Sequence, residues 1–267
     1  MLFLRGDLKS ADQLAIGIVG TRHGSGYGLR QAERLAGSLA RAGLTIVSGL
    51  ARGIDAAAHR GALQAGGRTI GVLASGVLNI YPPEHDRLAE EVVAQGALLS
   101  EAPPHAQPLS GAFPQRNRLI SGLTLGVIIV EAAERSGALI TARHAMEQGR
   151  EVFAVPGQVD MRTARGCHRL IRDGAKLVET ADDVLEELGP LVEATAGEDG
   201  RVVHHPAELM LNELEQQVLA AIGGEATSVD QIVATSGLPV ARVLSTLSVL
   251  EMRRLVRRLS GTTVARM

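Results

Sequence analysis

Aromatic residues, cysteine and net charge are all scarce in this chain. Its 267 residues include three Phe, two Tyr and no Trp, so aromatics make up only 2%. This composition argues against a domain that stacks a row of bases on a broad aromatic sheet. The formal net charge is −2 at pH 7. No overall basic field therefore gathers nucleic acid, and any site for a polyanion must be local.

Two further absences bear on location. The single cysteine, Cys167, has no partner for an internal disulfide, which fits a reducing cytoplasm. The longest apolar run covers residues 126–133, far short of the roughly 20 residues that a membrane-spanning helix needs. No leader with a charged start and a small-residue cleavage site is visible. We therefore expect a cytoplasmic protein.

Short apolar runs alternate with segments of helical period. The runs are continuous in Val, Ile and Leu, which is typical of strands buried on both faces. Helices are predicted between the first two strands and over residues 53–66, 84–95 and 137–149. The alternation predicts an α/β fold with a doubly wound, mostly parallel sheet of the Rossmann type. The predicted strands are residues 14–20, 44–49, 69–76, 97–101, 126–132 and 151–157.

The periodic pattern divides the chain into three parts. Residues 1–189 form the predicted Rossmann-like domain. Residues 190–208 contain Pro, Gly and acids without a period, and we interpret them as a linker. Residues 209–267 predict three short helices followed by a hairpin around Ser260 and Gly261, which is the outline of a winged helix.

Helix signals in the C-terminal part support that outline. Asn212 with Glu215, and Ser228 with Gln231, have the spacing of capping boxes. Gly237 is a typical helix end.

The first glycine-rich stretch, "GTRHGSGYG" at residues 20–28, follows a predicted strand and opens a helix. Exposed backbone N–H groups and the helix N-terminus favour an anion such as a phosphate. Arg22 interrupts the G-x-G-x-x-G pattern, and Ser48 stands where a ribose-binding acid is needed, so a NAD site is a poor fit. The glycines could instead only form the turn. The guanidinium of Arg22 argues against this alternative, because a charged group at the end of a strand needs a binding partner.

Two more glycine–serine helix starts are expected at the same sheet edge. Ser48 and Gly49 close the second strand, and Ser136 and Gly137 begin a later helix. Asp55 either caps a helix or contacts a ligand. Carboxyl ends of parallel strands meet at one edge, where backbone donors suit phosphates. The glycines expected to present their backbone to the anion are Gly20, Gly24, Gly26 and Gly53.

Two arginines in "FPQRNR" (113–118) are predicted to lie at a helix entrance. Arg116 and Arg118 are two residues apart, so their side chains point in different directions. One is expected to face the anion-lined edge while the other pairs with Glu101 or Glu131.

The same stretch offers contacts for a base. Phe113 is suited to stacking on one base, and the amide of Asn117 can donate or accept at a base edge. The alternative is a structural Arg–Glu network with Phe113 in the core.

No catalytic or metal-binding constellation is visible. The eight His residues contain no i, i+4 ligand pair. Cys167 and His168 are sequence neighbours, which rarely form a nucleophile–base pair, so Cys167 is interpreted as a packed small residue. We therefore predict a protein that is not an enzyme, with no catalytic residue, no metal and no cofactor.

Several of these stretches together resemble the DNA-processing protein A family (DprA, also called Smf). The resemblance implies an extended Rossmann core, a C-terminal winged helix and a homodimer. It also implies binding of single-stranded DNA, protection of incoming DNA and loading of the RecA recombinase during natural transformation. The matching strings include "IVGTRHGSGYG", "IVSGLARGIDAAAH", "FPQRNRLISGL" and "VIIVEAAERSGALITARHAMEQGREVFAVPG".

By position, the resemblance also implies a DNA pocket. Many family members carry Lys and Asn after the Tyr-Pro step, whereas this chain has "YPPEHDR" at residues 81–87, where Arg87 is the substitute basic residue. Many members also begin with a helical domain, whereas this chain begins "MLFLRGDL". The residues carried over are Arg22, Ser48, Gly49, Phe113, Arg116, Asn117 and Arg118, with Ser136, Gly137 and Thr141 nearby.

Three questions stay open from the sequence. The winged helix is either a protein-contact module or a DNA reader, and the expected recognition helix around residues 239–252 offers only Arg242 and Arg253 for contact with DNA. The apolar face of Val184, Leu185 and Leu188 either pairs across subunits or covers the sheet. The alternative function is that of a nucleotide-processing phosphoribohydrolase-like enzyme of related fold, but "ERSGALITA" lacks the catalytic Glu that such enzymes carry.

Overall fold

The structure, a computed structural model, describes most of the chain in two units. One unit comprises Met1–Val184 with Thr195–Val202, and the other comprises Leu185–Ala194 with Val203–Met267. The predicted linker lies outside the described residues except for the two-residue strands named below. The described residues are 1–189, 195–196, 202–203, 211–223, 226–252, 255–259 and 262–266.

In the described part of the first unit, eight strands form one sheet. Their order is β1-β5-β4-β3-β2-β6-β7-β8. β1 is antiparallel to β5, and every other neighbouring pair is parallel. The predicted mostly parallel sheet is confirmed. The strands are β1 Phe3–Gly6, β2 Ala15–Gly20, β3 Thr45–Ser48, β4 Thr69–Val72, β5 Gly96–Ser100, β6 Gly126–Glu131, β7 Glu151–Ala154 and β8 Lys176–Leu177.

Helices connect these strands and cover the sheet. The stripe of Leu35 and Leu39 on the first helix, α1 (Gly26–Arg41), is fully buried, as its helical spacing predicts. Gly61 on the second helix, α2 (Ile54–Gln64), allows the two helices to approach closely, because an added Cβ would lie 2.3 Å from the carbonyl oxygen of Glu33. The helices are α1 Gly26–Arg41, α2 Ile54–Gln64, α3 Asp86–Gln95, α4 Ala112–Gly122, α5 Ala138–Glu147, α6 Arg165–Arg172 and α7 Ala181–Leu188.

The structure departs from the sequence prediction at the sheet edges and at α4. β1 and β8 were not predicted, because an edge strand of four residues or fewer with exposed positions carries no continuous apolar run. The strands predicted over 69–76 and 151–157 end at Val72 and Ala154. α4 begins at Ala112, so the two arginines lie one turn inside the helix and not at its entrance.

The described part of the second unit contains three helices and a three-stranded sheet of order β11-β13-β12. This is a winged helix, as predicted. The apolar residues Ile232, Val243 and Leu247 lie in its core. Its elements are α8 Glu213–Ala220, β11 Thr227–Ser228, α9 Val229–Ser236, α10 Val240–Met252, β12 Val256–Arg258 and β13 Thr263–Arg266; the short strands β9 Thr195–Ala196 and β10 Val202–Val203 precede them.

Both predicted capping boxes are present in this unit. The side chain of Asn212 accepts a 2.9 Å bond from the backbone N–H of Glu215, whose carboxylate accepts one from the backbone of Asn212. Ser228 and Gln231 repeat the pattern. Gly237 ends α9 with φ 67°, in the left-handed conformation that favours glycine. The predicted turn at Ser260 and Gly261 lies outside the described residues.

Two observations concern surfaces. None of the described helices is by itself long and apolar enough to cross a membrane; only the bent pair α9 and α10 passes that test by length and composition, and its apolar side chains form the core of the winged helix. Val184, Leu185 and Leu188 are all buried within this chain.

Candidate functional site

A cleft of about 620 Å³ opens at the carboxyl edge of the sheet in the first unit. The turn after β2, the start of α2, helix α4 and the start of α5 form its walls, as expected for a ligand site in a doubly wound sheet. The predicted site residues that line it are Gly20, Arg22, Phe113, Arg116, Asn117, Ser136, Gly137 and Thr141. The predicted site residues that do not line it are Gly24, Gly26, Ser48, Gly49, Gly53 and Arg118.

Arg22 is the exposed cation of this cleft. Its guanidinium carbon lies 4.8 Å from the ring centroid of Phe113, a cation–π contact. Phe113 in turn meets Tyr81 edge-on, with the ring centroids 5.8 Å apart. Within the described ranges, no carboxylate pairs with Arg22. Its donors are therefore available to an anion from outside.

The turn that carries Arg22 is held by α2. Gly53 has φ 74°, and an added Cβ would lie 2.4 Å from the carbonyl oxygen of Thr21. The backbone N–H of Ile54 donates to the same oxygen at 3.2 Å. Gly53 therefore fixes the shape of the Arg22 turn and does not itself face the cleft.

The N-terminus of α1 is already occupied by an internal carboxylate. Glu131, at the end of β6, accepts bonds from the backbone N–H of Ser25 at 2.9 Å and from its hydroxyl at 2.5 Å. An added Cβ on Gly28 would lie 2.5 Å from the carboxyl carbon of Glu131. The anion at this helix start is thus the carboxylate of Glu131. Of the two acids predicted as a partner for an arginine, Glu101 or Glu131, Glu131 bonds to Ser25 instead.

Arg116 is a structural arginine on the inner wall of the cleft. It is only 6% exposed, and its Nη1 donates to the carbonyl oxygens of Gly49, at 2.7 Å, and Val72. Burial lowers the pKa of Arg116 to about 10, although nearby Asp55 opposes that shift. Burial also raises the pKa of Asp55. The Nη1 of Arg116 therefore donates to backbone oxygens inside the protein.

Arg118 points the other way. It is exposed and donates to Glu101 at 2.5 Å. The predicted divergence of the two arginines and the pairing with Glu101 are confirmed. However, Arg118 does not line the cleft and Arg116 is nearly buried on its wall, so the exposed arginine of the cleft is Arg22.

Ser48 ends β3 and Gly49 follows it, and neither residue lines the cleft. Ser48 is fully buried and donates to the carbonyl oxygen of Ile18 at 2.6 Å. The backbone N–H of Gly49 donates to Asp55 at 3.1 Å. Asp55 is not the cap of α2, because the N-cap residue is Gly53 and no side chain caps it. Asp55 instead holds the β3–α2 turn and forms part of the cleft wall.

The remaining predicted residues link α4 to the start of α5. The side-chain N–H of Asn117 donates to the carbonyl oxygen of Gly137 at 3.2 Å, which leaves its oxygen as an acceptor. The hydroxyl of Ser136 accepts from the backbone N–H of Ala138 at 3.3 Å. Thr141 is buried on this wall. Asn117, Ser136, Gly137 and Thr141 all line the cleft.

Sequence reasoning missed part of the site. Tyr81 and His23 also line the cleft, and the guanidinium carbon of Arg52 lies 6.0 Å from the Tyr81 ring centroid while Arg52 pairs with Glu84. The aromatic residues themselves were a usable signal, because the sequence has five of them and two, Phe113 and Tyr81, line this cleft. Arg87, the expected substitute, pairs instead with Glu91 and does not line the cleft.

The described residues contain no cluster of three His, Cys, Asp or Glu suited to a metal ion. Cys167 is buried, and burial raises the pKa of its thiol to about 12. Its neighbour His168 contacts the carbonyl oxygen of Gly157 at 3.0 Å. Cys167 therefore behaves as a packed small residue.

The fold and the site together define an α/β Rossmann-like protein with a C-terminal winged helix. Models of two domains match the chain: DNA recombination-mediator protein A over residues 1–189, and the DprA winged helix domain over residues 200–262. The chain therefore belongs to the DNA recombination-mediator protein A family, DprA/Smf.

Known proteins are similar to it over long stretches. Protein Smf of Escherichia coli (strain K12) is 43% identical over 252 residues, covering 94% of this chain and 67% of that protein. DNA processing protein DprA of Bacillus subtilis (strain 168) is 49% identical over 189 residues, covering 70% and 64%. The chain thus spans about two thirds of the length of these relatives.

Two solved structures share its fold. The X-ray structure of DprA from Streptococcus pneumoniae has a TM-score of 0.67 and 47% identity, covering 70% of this chain and 65% of that one. A structure of DNA processing protein A from Helicobacter pylori, which concerns its single-stranded DNA binding mode, has a TM-score of 0.64 and 32% identity, covering 70% and 86%.

Proposed function

We propose that this protein binds single-stranded DNA in the cleft beside Arg22, protects incoming DNA, and loads the RecA recombinase onto it during natural transformation. The observation that carries the proposal is the exposed guanidinium of Arg22, which rests on Phe113 and pairs with no carboxylate among the residues described. Arg22 binds a backbone phosphate, and the cleft receives the attached nucleotide.

The shape of the cleft favours an unpaired strand. A volume of about 620 Å³ is in the range of small-ligand sites, and the bases of a duplex are stacked and paired where such a cleft cannot reach them. One face of Phe113 carries Arg22, so a base is limited to its other face. The free oxygen of Asn117 accepts a hydrogen bond from that base.

The chemistry of the wall favours binding over catalysis. In the lining that the structure describes, Asp55 is the sole carboxylate, and it is tied to the backbone of Gly49 and stands near Arg116. Glu131 is tied to Ser25. Neither acid is placed as the general acid or base of a phosphoribohydrolase-like enzyme.

The partners follow from family membership. The Helicobacter pylori relative is described with a single-stranded DNA binding mode, which supports the same ligand here. RecA loading, a homodimer and a cytoplasmic location are what the family resemblance implies for this chain. The division into residues 1–189, a linker over 190–208 and residues 209–267 belongs to the same proposal, with the winged helix contacting either protein or DNA.

A direct experiment compares fluorescence anisotropy titrations of single-stranded and hairpin duplex oligonucleotides at two salt concentrations. The proposal predicts preferential binding of the single strand, weakened by salt. A second assay measures RecA filament formation on single strands coated by a single-strand binding protein. Equal binding of duplex, or release of free base from a nucleoside monophosphate, would contradict the proposal.

A further inference from the structure

A second cleft, of about 570 Å³, lies beside the start of α1. Its walls include Tyr27, Arg30, Pro156, Gln158 and Met161. A concave, mostly apolar surface with a few polar groups is the usual form of a small-ligand site. Nothing in the function proposed above uses this cleft.

The two clefts flank one loop. Arg22 and His23 line the first cleft, and Ser25, two residues further along, lines the second. This loop is firmly held, because Ser25 bonds to Glu131 through both its backbone N–H and its hydroxyl. The lining residues of the two clefts are therefore separated in the chain by Gly24 alone.

Tyr27 forms a fixed aromatic wall of the second cleft. Its hydroxyl donates to the carbonyl oxygen of Pro156 at 2.8 Å, and the side chain remains 37% exposed. The bond ties the first turn of α1 to the segment after β7. The ring is thus held in place with exposed surface, which suits stacking on a base.

Arg30 supplies the positive charge. An added Cβ on Gly26 would lie 3.3 Å from its Nη1, so the guanidinium extends back over the first turn of α1 toward the loop. In the part of the chain that the structure describes, no carboxylate pairs with Arg30. Like Arg22, Arg30 is exposed.

We propose that the second cleft holds a further nucleotide of the same single strand, with its base against Tyr27 and its phosphate on Arg30. The inference rests on the proposed function, since it extends the same DNA path across the loop. An aromatic face beside an unpaired guanidinium complements a nucleotide, whose base is flat and whose phosphate is anionic. Each of the two clefts then offers an exposed arginine beside an aromatic ring.

The chain offers an internal reporter for this subsite. It contains two tyrosines, Tyr27 and Tyr81, and no tryptophan, so Tyr81→Phe leaves Tyr27 as the single tyrosine emitter. Saturation with oligo-dT of about fifteen nucleotides should quench Tyr27 emission by stacking. Binding that is visible by anisotropy but leaves Tyr27 emission unchanged would overturn the inference.

Affinities provide an independent measurement. Arg30→Ala and Tyr27→Ala should each weaken binding of the long oligo-dT about tenfold, whereas Tyr27→Phe retains the ring and should stay close to wild type. Arg87→Ala removes the same charge from α3, at a residue paired with Glu91, and serves as the control. Binding of a thymidine trinucleotide should change little in any of these variants.

The outcomes separate the two proposals. Wild-type protein that binds no single strand contradicts the proposed function itself. A wild-type protein that binds, together with Arg30→Ala and Tyr27→Ala variants of unchanged affinity, contradicts only the second subsite. Thermal unfolding of each variant distinguishes a lost contact from a lost fold.

Discussion

Arg116 and Arg118 are two residues apart on α4, yet one is buried against backbone carbonyls and the other pairs at the surface with Glu101. The helical turn separates their directions. Arg116 joins the β3 and β4 ends through Gly49 and Val72. The two side chains therefore have different consequences for stability and for binding.

Replacing Arg116 should destabilise the fold. Arg116→Met leaves two buried carbonyl oxygens without their donor and Asp55 without its neighbouring positive charge, which costs about 3–5 kcal/mol. The free energy of unfolding from urea titration measures this. Arg118→Met is the matched control and should cost under about 1 kcal/mol, because its ion pair is half exposed. Equal costs would contradict the structural role of Arg116.

Replacing Arg118 should have little effect on DNA binding. Its guanidinium pairs with Glu101 and does not line the cleft, so Arg118→Ala removes only a distant, screened charge. We expect the dissociation constant for oligo-dT to change less than about threefold, or under about 1 kcal/mol. A larger loss would place Arg118 on the DNA path.

Gly28 should be intolerant of a side chain while Glu131 is present. Gly28→Ala places a Cβ against the Glu131 carboxyl group and should cost about 1–3 kcal/mol of stability. A double-mutant cycle with Glu131→Ala tests the cause, because the alanine at 28 should cost less once the carboxylate is gone. Additive losses would show that the two positions are independent.

His59 should make the fold sensitive to acid. Its Nδ1–H donates to Thr69 at 2.7 Å, since the Thr69 hydroxyl donates to Ile46, and burial lowers the pKa of His59 from 6.5 to about 3. Between these values the unfolded chain binds a proton that the folded chain does not, so stability falls as pH drops. The slope is roughly 1 kcal/mol per pH unit.

The variant His59→Asn tests whether His59 causes this loss of stability at acidic pH. Urea titrations at several pH values between neutral and mildly acidic should show a shallower pH dependence for the variant than for the wild type. Parallel curves would mean that His59 is not buried in its neutral form.

The sequence predicted the sheet, the winged helix and the position of the cleft because these depend on local patterns. The continuous apolar runs of β2 and β6, the capping box at Asn212 and the left-handed Gly237 are all local signals. The turn around Arg22 could also be recognised locally, because Arg22 interrupts the G-x-G-x-x-G pattern of a dinucleotide site.

Which polar groups are free depends on tertiary contacts and was not predictable. Ser48 was predicted to contact a ligand, yet its hydroxyl donates a hydrogen bond to the carbonyl oxygen of Ile18 on a neighbouring strand. Glu131 was one of two acids expected to pair with an arginine, yet it accepts bonds from Ser25, the N-cap of α1, more than one hundred residues earlier in the chain. Spacing in sequence does not show these pairings.

The most direct test is the affinity of Arg22→Ala for oligo-dT, measured by anisotropy at low and moderate salt with Arg118→Ala as the charge-matched control. Arg22 is exposed, so the variant should unfold at the wild-type temperature. We predict at least a tenfold loss of affinity and a salt dependence reduced by about one phosphate contact. Wild-type affinity and salt dependence in the folded variant would contradict the assignment of this cleft.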